Sequence, residues 1–391
     1  MDNRRNLYKR VLRVLLPMVI LAGIIIGSCQ IKRTHIKANN NVVYVKAKVT
    51  QIIEDNSGGQ PFGGAQKVSA KITGGQYKGQ NCELDNSNSF QRGAFCTTGT
   101  KVIAVVKVID GVITGSVYNY DRTMMVYVLL GLFSLCLVLV GGKKGAAALY
   151  ALIFTFICVI CMYVPLLYIG LNGIFASLLT SVVILAASIY ILNGVSSKTV
   201  CAIIGTTVGI VLSGGLAMIA GSLSNLNGYN MSDAESMIYI ANSSKLHVAD
   251  VLYAGILISS LGAVMDVSVS IVAAITEIHE KAPDLKAKEL FMSGMHVGHD
   301  MMGTMSNTLI LAYTGSATGT LLTIYSYEMP FLQIMGYNSI ITEIVCGLCG
   351  TIGVILTVPI QAFITTVGLK FFKYSLNKIF SYVMIPISKC L

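Results

Sequence analysis

The sequence predicts a polytopic α-helical membrane protein, with about eight transmembrane helices and one small β-rich domain on the extracytoplasmic side. Three observations predict it: apolar runs long enough to cross a bilayer, an interruption from 32 to 121 where the pattern becomes alternating, and basic residues gathered at the ends of the runs. Hydrophobic residues make up 54% of the chain and charged ones 12%, about half the charged share of an ordinary soluble protein. Mean hydropathy is +0.70, so lipid is the expected solvent for most of the chain.

Crossing about 30 Å of hydrocarbon takes roughly 20 residues. Eight runs qualify: 11–31, 123–141, 146–168, 171–192, 199–220, 251–274, 301–323 and 339–362. Residues 1–31 read as a retained membrane anchor, because the apolar run is longer than the core of a signal peptide. Two alternatives stay open: cleavage near Gly27 and Ser28, and lipidation at Cys29 within Ile26-Gly27-Ser28-Cys29.

The extracytoplasmic β domain, 32–121, shows period-two alternation over Val43–Val49, Lys67–Ile72, Lys101–Val108 and Val112–Val117, the pattern of half-buried strands. Gly58-Gly59, Gly63-Gly64, Gly74-Gly75 and Asp110-Gly111 supply turns. About five short strands suit a small barrel, OB-like in size. Its lysines have few strand aromatics beside them on which bases would stack, so no nucleic-acid partner is expected; docking or gating is the better use. Cys82 and Cys96 lie in this domain, where an oxidising compartment would permit a disulfide.

Residues 122–366 form the multi-helix transmembrane domain and 367–391 a basic tail. Orientation follows from the Lys and Arg of short loops. Arg4, Arg5, Lys9 and Arg10 put the N-terminus in the cytoplasm. Alternation then places Lys143 and Lys144, Lys198, the loop with Lys281, Lys286 and Lys288, and the C-terminal tail on the same side. The net charge of +10 therefore reports topology and membrane lipid rather than nucleic acid. The polar stretch 221–250 does not span; Ser232 followed by Glu235 fits a capping box for a short helix at the outer surface.

No phosphate-binding loop or dinucleotide fingerprint occurs, so no cofactor is expected and any driving energy comes from an ion gradient or another protein. The spacings Cys158–Cys161 and Cys346–Cys349 lie in apolar runs without further ligands nearby in sequence, where cysteine behaves as a small hydrophobe. No H-E-x-x-H and no nucleophile–base order stands out, and an enzyme is not expected.

Charge inside hydrocarbon costs at least about 2.5–3.5 kcal/mol, which makes an intramembrane ionisable group a functional candidate. Asp266 is the clearest. Helical spacing puts Ser270, Ala273 or Ala274, and then Glu277, on its face, while Ser259, Ser260, Gly262 and Ala263 favour close helix contact. A hydrogen bond tying two helices is the bland alternative. In the following run His296, Asp300, Gly303 or Thr304, and Asn307 recur at i, i+4, i+7 and i+11, one face expected to point into the bundle. His296, His299 and Asp300 would crowd a metal onto one turn with no further ligand pair in sequence; proton or substrate contact, or histidines facing cytoplasmic water, are the other readings. Residues 276–290 read as a compact charged cytoplasmic loop to which a partner could dock.

At Gly262-Ala263-Val264-Met265-Asp266-Val267-Ser268 and Gly298-x-Asp300-x-x-Gly303-Thr304-Met305-x-Asn307-Thr308-Leu309 the chain resembles the YibE/F family of bacterial multi-pass membrane proteins. The resemblance extends to Tyr120-Asp121-Arg122, the outer domain and the Gly141–Gly145 loop. It implies a bacterial plasma-membrane protein, permease-like, with an undefined substrate. The family pattern has an arginine where this chain has His299 and no fixed histidine at 296, which weakens a histidine metal site and favours Asp266, Asp300 and Asn307.

The leading expectation is a transporter or permease for an ion or small molecule, with Asp266, Ser270, Asp300, Thr304 and Asn307 along its pathway and His296, His299 and Glu277 as secondary candidates. The alternative is a non-transporting scaffold or sensor that links the outer domain to a cytoplasmic partner.

Overall fold

A computed structural model describes residues 2–31, 42–58, 63–75, 77–87, 93–109, 112–194, 196–226, 228–229 and 234–384. The chain forms two compact units, Arg33–Val140 and Met1–Lys32 with Gly141–Leu391.

The first unit holds strands β1 (Val43–Asp55), β2 (Ala65–Gly74), β3 (Asn81–Ser87), β4 (Lys101–Ile109) and β5 (Val112–Tyr120), which close into a barrel in the order β1-β2-β3-β5-β4. All pairs are antiparallel except β3 with β5. The alternation predicted from sequence sets the inner face: Val45, Ala47 and Val49, Val68, Ala70 and Ile72, then Val102, Ala104 and Val106 are buried. Strand β3 is the one the sequence reading did not delimit, because its inward set is Cys82, Leu84 and Asn86 between polar residues. Asn86 is accommodated by hydrogen bonds: Nδ2 donates to Ala94 O (2.6 Å) and Gln66 Oε1 (3.1 Å), and Oδ1 accepts from Ala94 N (3.3 Å). The Asp110-Gly111 turn lies outside the described residues.

The bridge that sequence allowed between Cys82 and Cys96 is not formed; both are free thiols in the barrel core. Cys82 pairs with Ala70 on β2, whereas Cys96 N donates to Gln66 Oε1 on the same strand. These anchors are four residues apart, about 13 Å along a strand, and a disulfide needs Cα atoms within about 7 Å. Burial pushes each thiol up to about 11.

The helical elements are α1 (Asp2–Gln30), α2 (Thr123–Cys158), a π-turn (Val159–Tyr163), α3 (Val164–Tyr168), α4 (Gly173–Asn193), α5 (Ser197–Leu223), α6 (Ala234–Ser243), α7 (Val248–Lys281), α8 (Ala287–Ser316), α9 (Thr318–Ser326), α10 (Phe331–Met335) and α11 (Asn338–Met384). Among the described residues six helical segments are long and apolar enough to cross a membrane: Arg13–Gln30, Thr123–Tyr168, Gly173–Asn193, Ser197–Leu223, Val248–Lys281 and Asn338–Leu369.

The difference from eight has two sources. Predicted runs 123–141 and 146–168 form one helical stretch of 46 residues, interrupted at Gly142 with φ 53° and ψ −130°, a backbone conformation open chiefly to glycine. The run expected at 301–323 is divided between the later part of α8, which begins at Ala287 and ends before Ala317, and most of α9. Its polar residues keep it out of the apolar set.

Helix α6 agrees with the short helix expected in 221–250; Ser232, its expected cap, lies outside the described residues. The expected loop 276–290 is mostly helix, since α7 runs to Lys281 and α8 starts at Ala287, where Glu289 Oε2 accepts from Lys286 N at 2.9 Å. Helix α11 continues past 366, through a stretch without glycine or proline from 369 to 384.

The centre of the second unit is the mutual packing of α5, α7 and α11, with α4 and α8 against it. Glycine sets these approaches. A β-carbon at Gly205 would overlap the Gln361 amide, one at Gly209 the Thr357 hydroxyl, and one at Gly214 Leu257.

Candidate functional site

The rotation of α8 decides where its polar residues go. Gly294 lies against Ile275 and Ala362, and Gly298 against Val358 and Ile271; a larger residue at either would clash, so this side of α8 must face α7 and α11. At 100° per residue, His296, Asp300 and Asn307 lie roughly 160–200° around the helix from Gly298. They are exposed, as are His299 and Thr304. The face expected to point into the bundle therefore points away from it.

Asp266 follows the same rule on α7. Gly255, Ser259, Gly262, Asp266, Ala273 and Glu277 are exposed at near-helical spacing, with Ser270 half-buried among them. The opposite side carries Val264, Val267, Ser268 and Ile271, all buried. Small residues and two carboxylates thus form an outward stripe on one helix face.

One seam joins the two helices. Ile271 meets Gly298, Ile275 lies against Gly294, and Ser259 Oγ stands 2.6 Å from Tyr313 Oη, so α7 and α8 are antiparallel in a defined register. At about 1.5 Å per residue, Asp266 lies near the depth of Gly303 and Thr304, with Asp300 and Asn307 each roughly 5 Å away along the axis on opposite sides. No side-chain hydrogen bond or ion pair reaches Asp266, Asp300, His296, His299 or Asn307 among the described residues. Nor do three or more His, Cys, Asp or Glu side chains converge there. These groups share a depth without binding one another.

Glu277 differs from them: its carboxylate is 2.7 Å from Lys281 Nζ, and Glu280 is 3.1 Å from Lys198 Nζ. Two acidic groups of the expected partner-docking segment are therefore satisfied internally.

Sequence reasoning passed over two positions. Gln361, fully buried on α11, donates from Nε2 to Cys201 O and Thr365 Oγ1, both at 3.0 Å, while Oε1 has no hydrogen-bond partner among the described residues. With Thr357, Thr365 and Ser213 it makes a polar seam inside the bundle. The second is Glu343, the one charged residue in 339–362. The rule that selected Asp266 would have found it.

A family model described as YibE/F-like protein matches residues 129–371. The match takes in both motifs around Asp266 and Asp300 and the Gly141–Gly145 break, and begins after the barrel. No curated protein and no solved structure matches the chain. Because the matched region covers more than half of the sequence and contains the α7–α8 stripes, the chain belongs to the YibE/F-like protein family.

Proposed function

We propose that this YibE/F-like protein is a permease of the bacterial plasma membrane that moves an ion or small polar solute along the outward faces of α7 and α8. One observation carries the reading: Asp266, Ser270, Asp300, Thr304 and Asn307 lie on two neighbouring helices in a narrow band of depth, and the carboxylates and Asn307 have no protein partner among the described residues. Hydrocarbon tolerates such a face poorly, at about 2.5–3.5 kcal/mol or more per charge. Water and a polar solute solvate it instead. Asp266 is the ion or proton carrier, Asp300 the cytoplasmic-side relay, and Asn307 a neutral hydrogen-bonding contact.

In this reading eight helices span. The stretch 123–168 crosses twice, turning at Gly142 beside Lys143 and Lys144, and α8 crosses although its polar face lowers its hydropathy. Both termini are cytoplasmic and the barrel is extracytoplasmic and OB-like, supported by the basic clusters at one set of helix ends and by the closed five-stranded order. With no nucleotide motif in the sequence, an ion gradient or another protein supplies the energy.

The test is an imposed pH gradient across proteoliposomes that contain wild-type protein or Asp266→Asn at equal folded amounts. Faster dissipation by the wild type, lost in Asp266→Asn, supports ion coupling through Asp266. Equal rates in both, at the level of empty liposomes, remove Asp266 from any proton path.

A further inference from the structure

A second site lies apart from the α7–α8 stripes. Where α8 passes into α9, beside the first turns of α11, the helices leave a cleft of about 270 Å³ lined by Ile310, Tyr313, Leu321, Ile340, Glu343 and Gly347, among others. Its walls are apolar except for Glu343, the Tyr313 phenol and Thr314. The phenol is committed to Ser259 Oγ at 2.6 Å, and the Thr314 hydroxyl donates to Ile310 O at 2.7 Å. Glu343 has no hydrogen bond or ion pair among the described residues.

We propose that this cleft binds an organic ammonium ion with an apolar body. Three properties select that chemistry. A carboxylate without a protein partner in an apolar surrounding needs a counter-charge. A strongly hydrated inorganic cation would find no second carboxylate and few oxygen ligands here, whereas the aromatic ring of Tyr313, which lines the cleft, suits an ammonium. The apolar walls from α8, α9 and α11 remove the rest of the ligand from water. A soluble alkyl- or arylammonium and the amine of a lipid headgroup share this chemistry.

The probe is benzyltrimethylammonium, a quaternary cation that cannot pass a proton to Glu343, titrated calorimetrically into the full-length protein in an uncharged maltoside detergent. Saturable binding is expected, about tenfold or more weaker in Glu343→Gln and retained in Glu343→Asp. Neopentylbenzene, the uncharged carbon analogue, should not compete. Gly347→Leu, which leaves Glu343 intact and fills the cleft from α11, should abolish binding, with thermal unfolding run on each variant to confirm folding. Competition by phosphatidylethanolamine but not phosphatidylglycerol would identify the lipid headgroup as the source; competition by neither would identify a soluble ammonium. No saturable binding by the wild type, or equal affinity in folded Glu343→Gln, overturns the proposal. Neither result depends on whether Asp266 carries protons.

Discussion

The barrel and the helical unit treat their surfaces differently, although both have apolar cores. In the barrel Val68, Leu84 and Val102 are fully enclosed while Lys46, Lys67 and Glu83 face outward. In the helical unit the enclosed side chains include Ser177, Thr180, Thr206, Gln361 and Thr365, whereas Phe156, Phe175, Ile219 and Phe363 lie on the outside. Water drives apolar surface inward in the first case. In the second, lipid removes that drive, and helices associate through small residues and internal hydrogen bonds. Exposure therefore means different things in the two units: an outward valine on a bundle helix is ordinary, and an outward Asp266 is the anomaly.

The largest effect should come from glycines that fix helix approach. Gly205→Leu, which drives a side chain into Gln361, should destabilise the detergent-solubilised protein by about 3 kcal/mol or more. Gly262→Leu and Gly303→Leu, where nothing lies within 4 Å of the added β-carbon, should stay within about 0.5 kcal/mol. Thermal unfolding of the three variants measures this. Equal damage from Gly262→Leu would mean that the outward stripe of α7 is packed in solution, and the contrast between the two faces would fail.

The barrel offers a smaller and different break. Asn86→Ala strands buried Ala94 N and O, at a cost of about 1–3 kcal/mol. Faster hydrogen exchange at Ala94 and Cys96 than at α5 amides should report it. Unchanged exchange there would show that the 93–100 segment is held by its apolar contacts alone.

The smallest expected effect concerns acid. Asp121 is held below the usual carboxylate range, first by the Thr123 hydroxyl, then by the Thr123 N–H and the Lys46 ammonium, with burial opposing. Its folded value is depressed, so its contribution is fully present above the unfolded value of about 3.9 and is lost as pH falls through the folded one. An NMR titration of the Asp121 carboxyl should therefore give a value below 3.9 that rises in Thr123→Val. No rise would leave the N–H of residue 123 and Lys46 as the causes.

How much was legible follows the same divide. Alternation from Val43 to Val49 named the inward residues of β1 because water selects one face of a strand. It did not delimit β3, where Asn86 is inward and its compensation comes from Gln66 and Ala94, distant in sequence. In the helical unit, spacing grouped Asp266 with Ser270 and Glu277, and Asp300 with Asn307. It gave the wrong direction for the α8 group, whose polar face was expected to point into the bundle. Glu343 answers to the same rule as Asp266, whereas Gln361 carries no local signal, because the residue that makes room for it is Gly205 on another helix.

The sequence by itself determined that apolar helices long enough to span a membrane exist, that a β-rich module interrupts them, and which polar residues share each helix face, because run length, period and composition are local properties. Only the tertiary structure decided which way each helix is turned. Lipid and bundle core are both apolar, so the rotation of α8 is set by Ile271, Ile275, Val358 and Ala362 meeting Gly294 and Gly298, steric contacts between segments that no local pattern records.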